Sequence, residues 1–130
     1  MKGFLTARLT RLNISRWTAK AAAYLSIHNQ FSLSIITRYE ILRGLKAKNA
    51  TKQIAAFERL CASSSIIALT DAIVVKAAEI YADLHRQGRL IGDADILIAA
   101  SALVNGCGVA TGNEKHFMRI SGLHIENWIK

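Results

Sequence analysis

Apolar residues along the chain switch several times between the spacing of a helix and that of a strand. From Ser15 to His28, Trp17, Ala21, Tyr24 and Leu25 recur at helical spacing behind a serine that can cap, with Lys20 and His28 toward solvent, and predict a helix. The run Phe31 to Ile36, between Asn29-Gln30 and Thr37, is too short for a helix and predicts a strand. A helix from Thr37 to about Lys48 follows, and its T-R-Y-E start fits a capping box in which Thr37 caps and Glu40 reaches back. Another amphipathic helix spans about Ala50 to Cys61, with Ile54, Phe57, Leu60 and Cys61 inward.

Ile66-Ile67-Ala68-Leu69 then reads as a short buried strand. Thr70 and Asp71 open a helix whose stripe is Val74, Ala77, Ala78, Tyr81 and Leu84 and which ends at Gly88. The segment D-A-D-I-L-I-A-A-S-A-L-V-N-G (Asp93 to Gly106) is apolar on nearly all sides and predicts a buried helix with acids only in its first turn. Gly108 to Thr111 and Leu123 to Ile129 complete the pattern as strands. Strands alternating with helices in this order predict an α/β sandwich on a mainly parallel sheet. Such folds begin with a central hydrophobic strand, and only Gly3-Phe4-Leu5 can supply one, so the first strand is expected to be absent or degenerate.

At 130 residues the chain suits one compact domain, and 52% hydrophobic against 20% charged residues is a globular balance rather than a disordered one. Its longest apolar stretches, such as Ile96 to Val104, are about half the ~20 residues that cross a bilayer. Arg8, Arg11 and Arg16 in an acid-free start raise the question of a targeting peptide. There is no apolar run of signal-peptide length there, so a cytoplasmic protein is expected. Cys61 and Cys107 lie apart in apolar settings without C-x-x-C spacing, which predicts buried, reduced thiols and no zinc site. A formal charge of +8 favours a polyanion or an acidic protein as partner, and equally describes a solvated basic surface.

The chain has no G-x-S-x-G, Walker loop, G-x-G-x-x-G or H-E-x-x-H, which leaves the acids as the carriers of chemistry. Asp93 and Asp95 open the most hydrophobic helix, and Glu40 opens the one after the first clear strand. Both starts belong at the carboxyl edge of a parallel sheet, where ligands bind. Grouped carboxylates repel unless a cation neutralises them, and hard oxygen donors suit Mg²⁺ or Mn²⁺, which on a basic protein points to phosphodiester hydrolysis. The competing explanation is that first-turn acids only complement the helix dipole, and for one such pair alone it is preferred.

The segments SIITRYEILRGL (Ser34 to Leu45), LIGDADILIAASAL (Leu90 to Leu103) and ATGNEKHFMRISGL followed by ENW (Ala110 to Trp128) closely resemble successive motifs of VapC-type PIN-domain toxins, over roughly three quarters of the chain. The resemblance implies a PIN-like three-layer α/β/α sandwich and Mg²⁺- or Mn²⁺-dependent endoribonuclease cleavage of structured RNA such as tRNA or rRNA, leaving a 3′-hydroxyl and a 5′-phosphate. It also implies an antitoxin protein as inhibitor and a homodimer. Carried over by position, Glu40 and Asp95 become metal ligands and catalytic residues, while Asp93 becomes a third ligand or an N-cap. Thr37 and Thr111 become substrate-positioning residues. Asn113 stands where a further acid is possible and offers a neutral catalytic oxygen, with Glu114 as its neighbour.

The departure from the family is at the start. VapC-type proteins resembling this one open with a strand ending in aspartate, and here no Asp or Glu precedes Glu40. A start lying upstream of Met1 is the favoured explanation, and decay of the gene, with Thr6 near the lost acid, is the other. Cleavage is therefore expected to be impaired, and a catalytically inactive module that retains RNA or antitoxin binding is the alternative. His28, His85, His116 and His124 are scattered and expected to be surface or core residues. Trp17 and Trp128 are expected in core or interface, and Lys46, Lys48 and Lys52 on a solvated face within reach of phosphate.

Overall fold

A computed structural model describes residues 4–7, 23, 32–112 and 114–127. Among the described residues five parallel strands form one sheet: β1 (Phe4–Ala7), β2 (Ser32–Ser34), β3 (Ser65–Ile67), β4 (Gly108–Thr111) and β5 (Ile125–Asn127), in the spatial order β3-β2-β1-β4-β5. Helices α1 (Ile35–Ala47) and α2 (Thr51–Ala62) connect β2 to β3, α3 (Asp71–Arg86) and α4 (Asp93–Val104) connect β3 to β4, and the short α5 (Glu114–Phe117) follows β4.

The sheet separates two cores, as strand alternation requires. Val109 of β4 packs with α3 and α4 among Ile73, Ile80, Leu84, Ile98 and Phe117, whereas its neighbour Ala110 packs with α1 and α2 among Leu33, Leu45, Phe57 and Leu60. Ile66 and Ile67 of β3 divide in the same way. The three-layer α/β/α sandwich expected from the sequence is the fold.

The first strand is present, though it carries no acid. β1 occupies the middle of the sheet, pairing with β4 from Phe4↔Gly108 to Ala7↔Thr111 and with β2 at Leu5↔Ser32. The F-L-T-A run is too short to carry a pattern of its own, and its place is set by pairing on both sides, which a linear pattern does not display. The predicted Ser15–His28 helix lies outside the described residues except for Ala23, which is helical. Trp17, His28, Asn113 and Trp128 also lie outside them.

The start of α1 corrects a second expectation. Ser34 is the N-cap, its hydroxyl accepting from the Ile36 N–H at 3.1 Å, so the helix begins at Ile35, two residues before Thr37. Thr37 is a buried residue inside the first turns, and there is no Thr37–Glu40 capping box. On α3 the capping expectation holds, with the Thr70 hydroxyl accepting from the Ile73 N–H at 3.3 Å, but the buried stripe is Ile73, Ala77, Ile80 and Leu84. Val74, Ala78 and Tyr81, placed in the core by their spacing, are exposed. The α3 sequence carries adjacent apolar stripes, and spacing alone could not say which one meets the sheet. Cys61 and Cys107 are both buried thiols, as expected.

Candidate active site at the carboxyl edge of the sheet

The chain builds β1, β2 and β3 outward in one direction and then returns to place β4 and β5 on the other side of β1. The order therefore reverses between β1 and β4, and in parallel α/β sheets the crevice outside the carboxyl ends at such a reversal is where ligands bind. Thr111, the last residue of β4, is fully buried at that point and level with Ala7 of β1.

Asp95 is delivered to the same edge by α4. This helix ends in a turn through Asn105 and Gly106, where Gly106 adopts φ +68° and Cys107 N–H bonds back to the Ala102 carbonyl at 2.8 Å. The chain reverses into β4, so α4 runs antiparallel to that strand and its first turn lies at the strand's carboxyl end. Gly92 is the N-cap without a side-chain bond, which places Asp93 at the first helical position and Asp95 at the third. Asp93 is exposed and is not the cap that one reading assigned to it. Asp95 is 0% exposed.

Burying a carboxylate is costly without hydrogen-bonding partners and a favourable local field. The start of α4 supplies the positive end of a helix dipole. His116 of α5 supplies a ring nitrogen, Nδ1, 3.2 Å from Asp95 Oδ2. With Asp95 as a carboxylate, Nδ1 carries the hydrogen and donates it. The α5 region is fastened in place by Arg119, whose Nη1 donates to the Arg89 and Leu90 carbonyls at 3.2 and 3.1 Å, in the loop leading to α4. His116 is thus the site residue that sequence reasoning missed. The signal available was its place in the T-G-N-E-K-H-F segment directly behind β4, which a search for paired histidines passes over.

Glu40 arrives from the neighbouring connection. The start of α1 packs against the α3–α4 core through Ile36, so α1 and α4 meet across the sheet edge. Glu40 is in the second turn, its side chain 18% exposed, with Arg43 Nη2 at 3.8 Å from Oε2. On another side of α1, Arg38 forms a two-pronged pair with Glu58 of α2, Nη1–Oε1 at 2.5 Å and Nη2–Oε2 at 3.3 Å, and lies 6.0 Å from the Phe57 ring centroid. The Arg38 hydrogen bond holds Glu58 below the usual carboxylate range, and Glu58 in turn raises Arg38. Burial pushes the Cys61 thiol up.

Among the described residues no three His, Cys, Asp or Glu side chains group as a metal cage. That does not disqualify a hard divalent cation, because Mg²⁺ is commonly held by one or two carboxylates with water and substrate phosphate completing its shell. Asp95 and Glu40, both largely withdrawn from solvent and both hard oxygen donors, suit that kind of ion.

The PIN-domain family profile matches residues 12–123. The chain belongs to the PIN-domain family. Within it, Ribonuclease VapC1 of Methanocaldococcus jannaschii is 33% identical over 96 residues, 72% of this chain and 68% of that protein. The tRNA(fMet)-specific endonuclease VapC of Shigella flexneri is 30% identical over 97 residues, 74% of each chain. The VapBC-1 structure from nontypeable Haemophilus influenzae superposes with a TM-score of 0.78 at 27% identity, covering 98% of both chains. DNA-bound VapBC from Salmonella typhimurium shares the fold with a TM-score of 0.85 at 24% identity, over 98% of this chain and 99% of that one. The chain is thus a VapC-type PIN domain. The profile match begins after β1, the strand in the middle of this sheet. Among the described residues no helix is long and apolar enough to cross a membrane.

Proposed function

We propose that this PIN domain is the toxin subunit of a type II toxin–antitoxin pair, a Mg²⁺- or Mn²⁺-dependent endoribonuclease acting on structured RNA such as tRNA or rRNA in the cytoplasm. The observation that carries the reading is the fully buried Asp95 at the carboxyl edge of the sheet, held by His116 where the strand order reverses. The VapC relatives support the activity, since their names give ribonuclease and tRNA-specific endonuclease. Asp95 and Glu40 would hold the cation, which when bound supplies Lewis acidity toward the scissile phosphate. Asp93, exposed at the first position of α4, is a weaker third ligand, and Asn113 would offer a neutral oxygen. Thr37 and Thr111, both buried at the sheet edge, would position the substrate by shaping the crevice.

Two partners belong to this reading. An antitoxin is supported by the toxin–antitoxin complexes among the structural neighbours. A second copy is supported by α3, where Val74, Val75, Ala78 and Tyr81 form an exposed apolar arc. Around that arc Asp71, Glu79 and Asp83 balance Lys76 and Arg86, so two chains of charge +8 can meet there without strong repulsion.

The alternative, a PIN-fold module that binds without cleaving, is favoured by one feature, the lack of any acid before Glu40. Loss of one ligand misplaces the attacking water, and a shift of about an ångström costs on the order of a hundredfold in rate. Divalent-dependent cleavage of tRNA by this chain, by Thr6→Asp, which places an acid one residue before the end of β1, and by Asp95→Asn and Glu40→Gln separates the readings. Weak cleavage that rises with Thr6→Asp and vanishes with Asp95→Asn supports the ribonuclease. Full activity indifferent to Asp95→Asn and Glu40→Gln overturns the site.

A further inference from the structure

Glu40 is flanked on α1 by features that metal chemistry does not require. Tyr39 is 60% exposed, more than the other exposed tyrosine, Tyr81, at 45%. Arg43 lies one turn on, its guanidinium carbon 5.2 Å from the Tyr39 ring centroid and its side chain 58% exposed. The same guanidinium is 3.8 Å from Glu40, so it links the ring to the candidate site. Lys46 continues the line, since positions 39, 43 and 46 share one side of a helix, and all three are exposed.

We propose that Tyr39 and Arg43 form a stacking subsite for one unpaired base of the RNA, next to the cleavage site, with Arg43 and Lys46 receiving the adjoining phosphates. The proposal rests on the ribonuclease reading for its ligand class and adds to it a preference for an unpaired nucleotide. An exposed aromatic ring in water gains by covering its face, and every base offers a flat π-face of matching size. A paired base has both faces already covered by its neighbours, so the subsite discriminates loop or single strand from duplex. The other exposed aromatic, Tyr81, makes an instructive contrast. Its ring stacks on His85 at 5.9 Å, amid the acids Glu79 and Asp83, and it has no arginine over it. That setting is close to charge-balanced, Glu79 pairing with Lys76 and Asp83 with Arg86, whereas the exposed Arg43 and Lys46 give Tyr39 a more basic one.

The test uses the full chain in EDTA, so that binding is read without cleavage, and follows fluorescence anisotropy of an unstructured RNA of about ten nucleotides and of a matched duplex. Tyr39→Ala is expected to weaken single-strand binding by about tenfold while leaving duplex binding and the salt dependence as they were. Tyr39→Phe should retain single-strand binding, because the π-face remains. Arg43→Ala should lower affinity for both RNAs and flatten the salt dependence, whereas Lys76→Ala on α3 should lower neither beyond a general charge effect. Unchanged single-strand affinity in Tyr39→Ala overturns the proposal, as does an equal loss for both RNAs or a loss confined to antitoxin binding. Cleavage measured separately with Mg²⁺ keeps the two readings apart. A chain that cleaves but binds independently of Tyr39 loses the subsite alone, and a chain whose binding depends on Tyr39 but which never cleaves loses the ribonuclease alone.

Discussion

The helices that carry the two candidate acids are built on opposite terms. In α4 the buried set runs Asp95, Ile96, Ile98, Ala99, Ala100, Ser101 and Ala102, and the acid is part of the core. In α1 only Thr37 and Leu45 are buried, and Glu40 rides on a helix whose outer side carries Tyr39, Arg43 and Lys46. One carboxylate is therefore placed by packing, and the other by a helix held down through side-chain contacts at its rim. The rigid half of such a site can fix the geometry of the reaction, while the exposed half meets substrate.

The largest expected effect tests the packing half. Ile98 is fully buried in α4, and Ile98→Ala should cost about 2–5 kcal/mol in urea unfolding, as large-to-small core changes do. Leu42→Ala on the half-buried side of α1 should cost markedly less. Equal losses would mean that α1 is as much a core element as α4.

His116 sharpens the comparison at the site itself. If its Nδ1 bond aims the Asp95 carboxylate, His116→Ala should weaken Mn²⁺ affinity by about tenfold or more, as loss of such a supporting bond does at metal sites. An asparagine amide can stand where Nδ1 stands and a glutamine amide cannot, so His116→Asn should restore binding better than His116→Gln. Isothermal titration with Mn²⁺ reads all three, and indistinguishable variants would leave His116 with a packing role only. Arg119→Ala, which frees the turn behind α5 from the Arg89–Leu90 carbonyls, should move affinity in the same direction by a smaller factor.

What could be read in advance divides along the same line. The α4 segment was legible because an unbroken apolar run with acids only in its first turn has one sensible burial, whereas Asp95 was singled out from Asp93 only by the family resemblance. The end of β2 was not, because Ser34 competes with Thr37 as a cap and the serine wins by closing the helix directly on the strand. β1 was hidden because its four residues carry little pattern and its position comes from neighbours more than a hundred residues away in sequence on one side. His116 was hidden for the same reason, since its partner lies 21 positions earlier and only the fold brings them within 3.2 Å. Long-range pairings place the chemistry here, and local spacing does not encode them.

The smallest expected effect concerns the contact that steadies α1. Arg38 and Glu58 bridge α1 to α2, with side chains 25% and 47% exposed, so solvent screens them and the pair should contribute less than about 1 kcal/mol. Its pH dependence has a definite sign. Glu58 titrates below its ordinary value of 4.5 in the folded chain because it accepts from Arg38, so the pair's contribution is present above that value and is lost as pH falls through the lower folded one. Thermal unfolding of this chain and of Glu58→Gln should differ by a small, constant amount near neutral pH, and the two curves should converge as the solution is acidified below 4.5. A Glu58→Gln difference that persists undiminished in acid would show that the contact acts through shape rather than charge. A double-mutant cycle with Arg38→Met isolates the pair, and a coupling energy of zero would leave α1 held by Leu45 and its apolar neighbours alone.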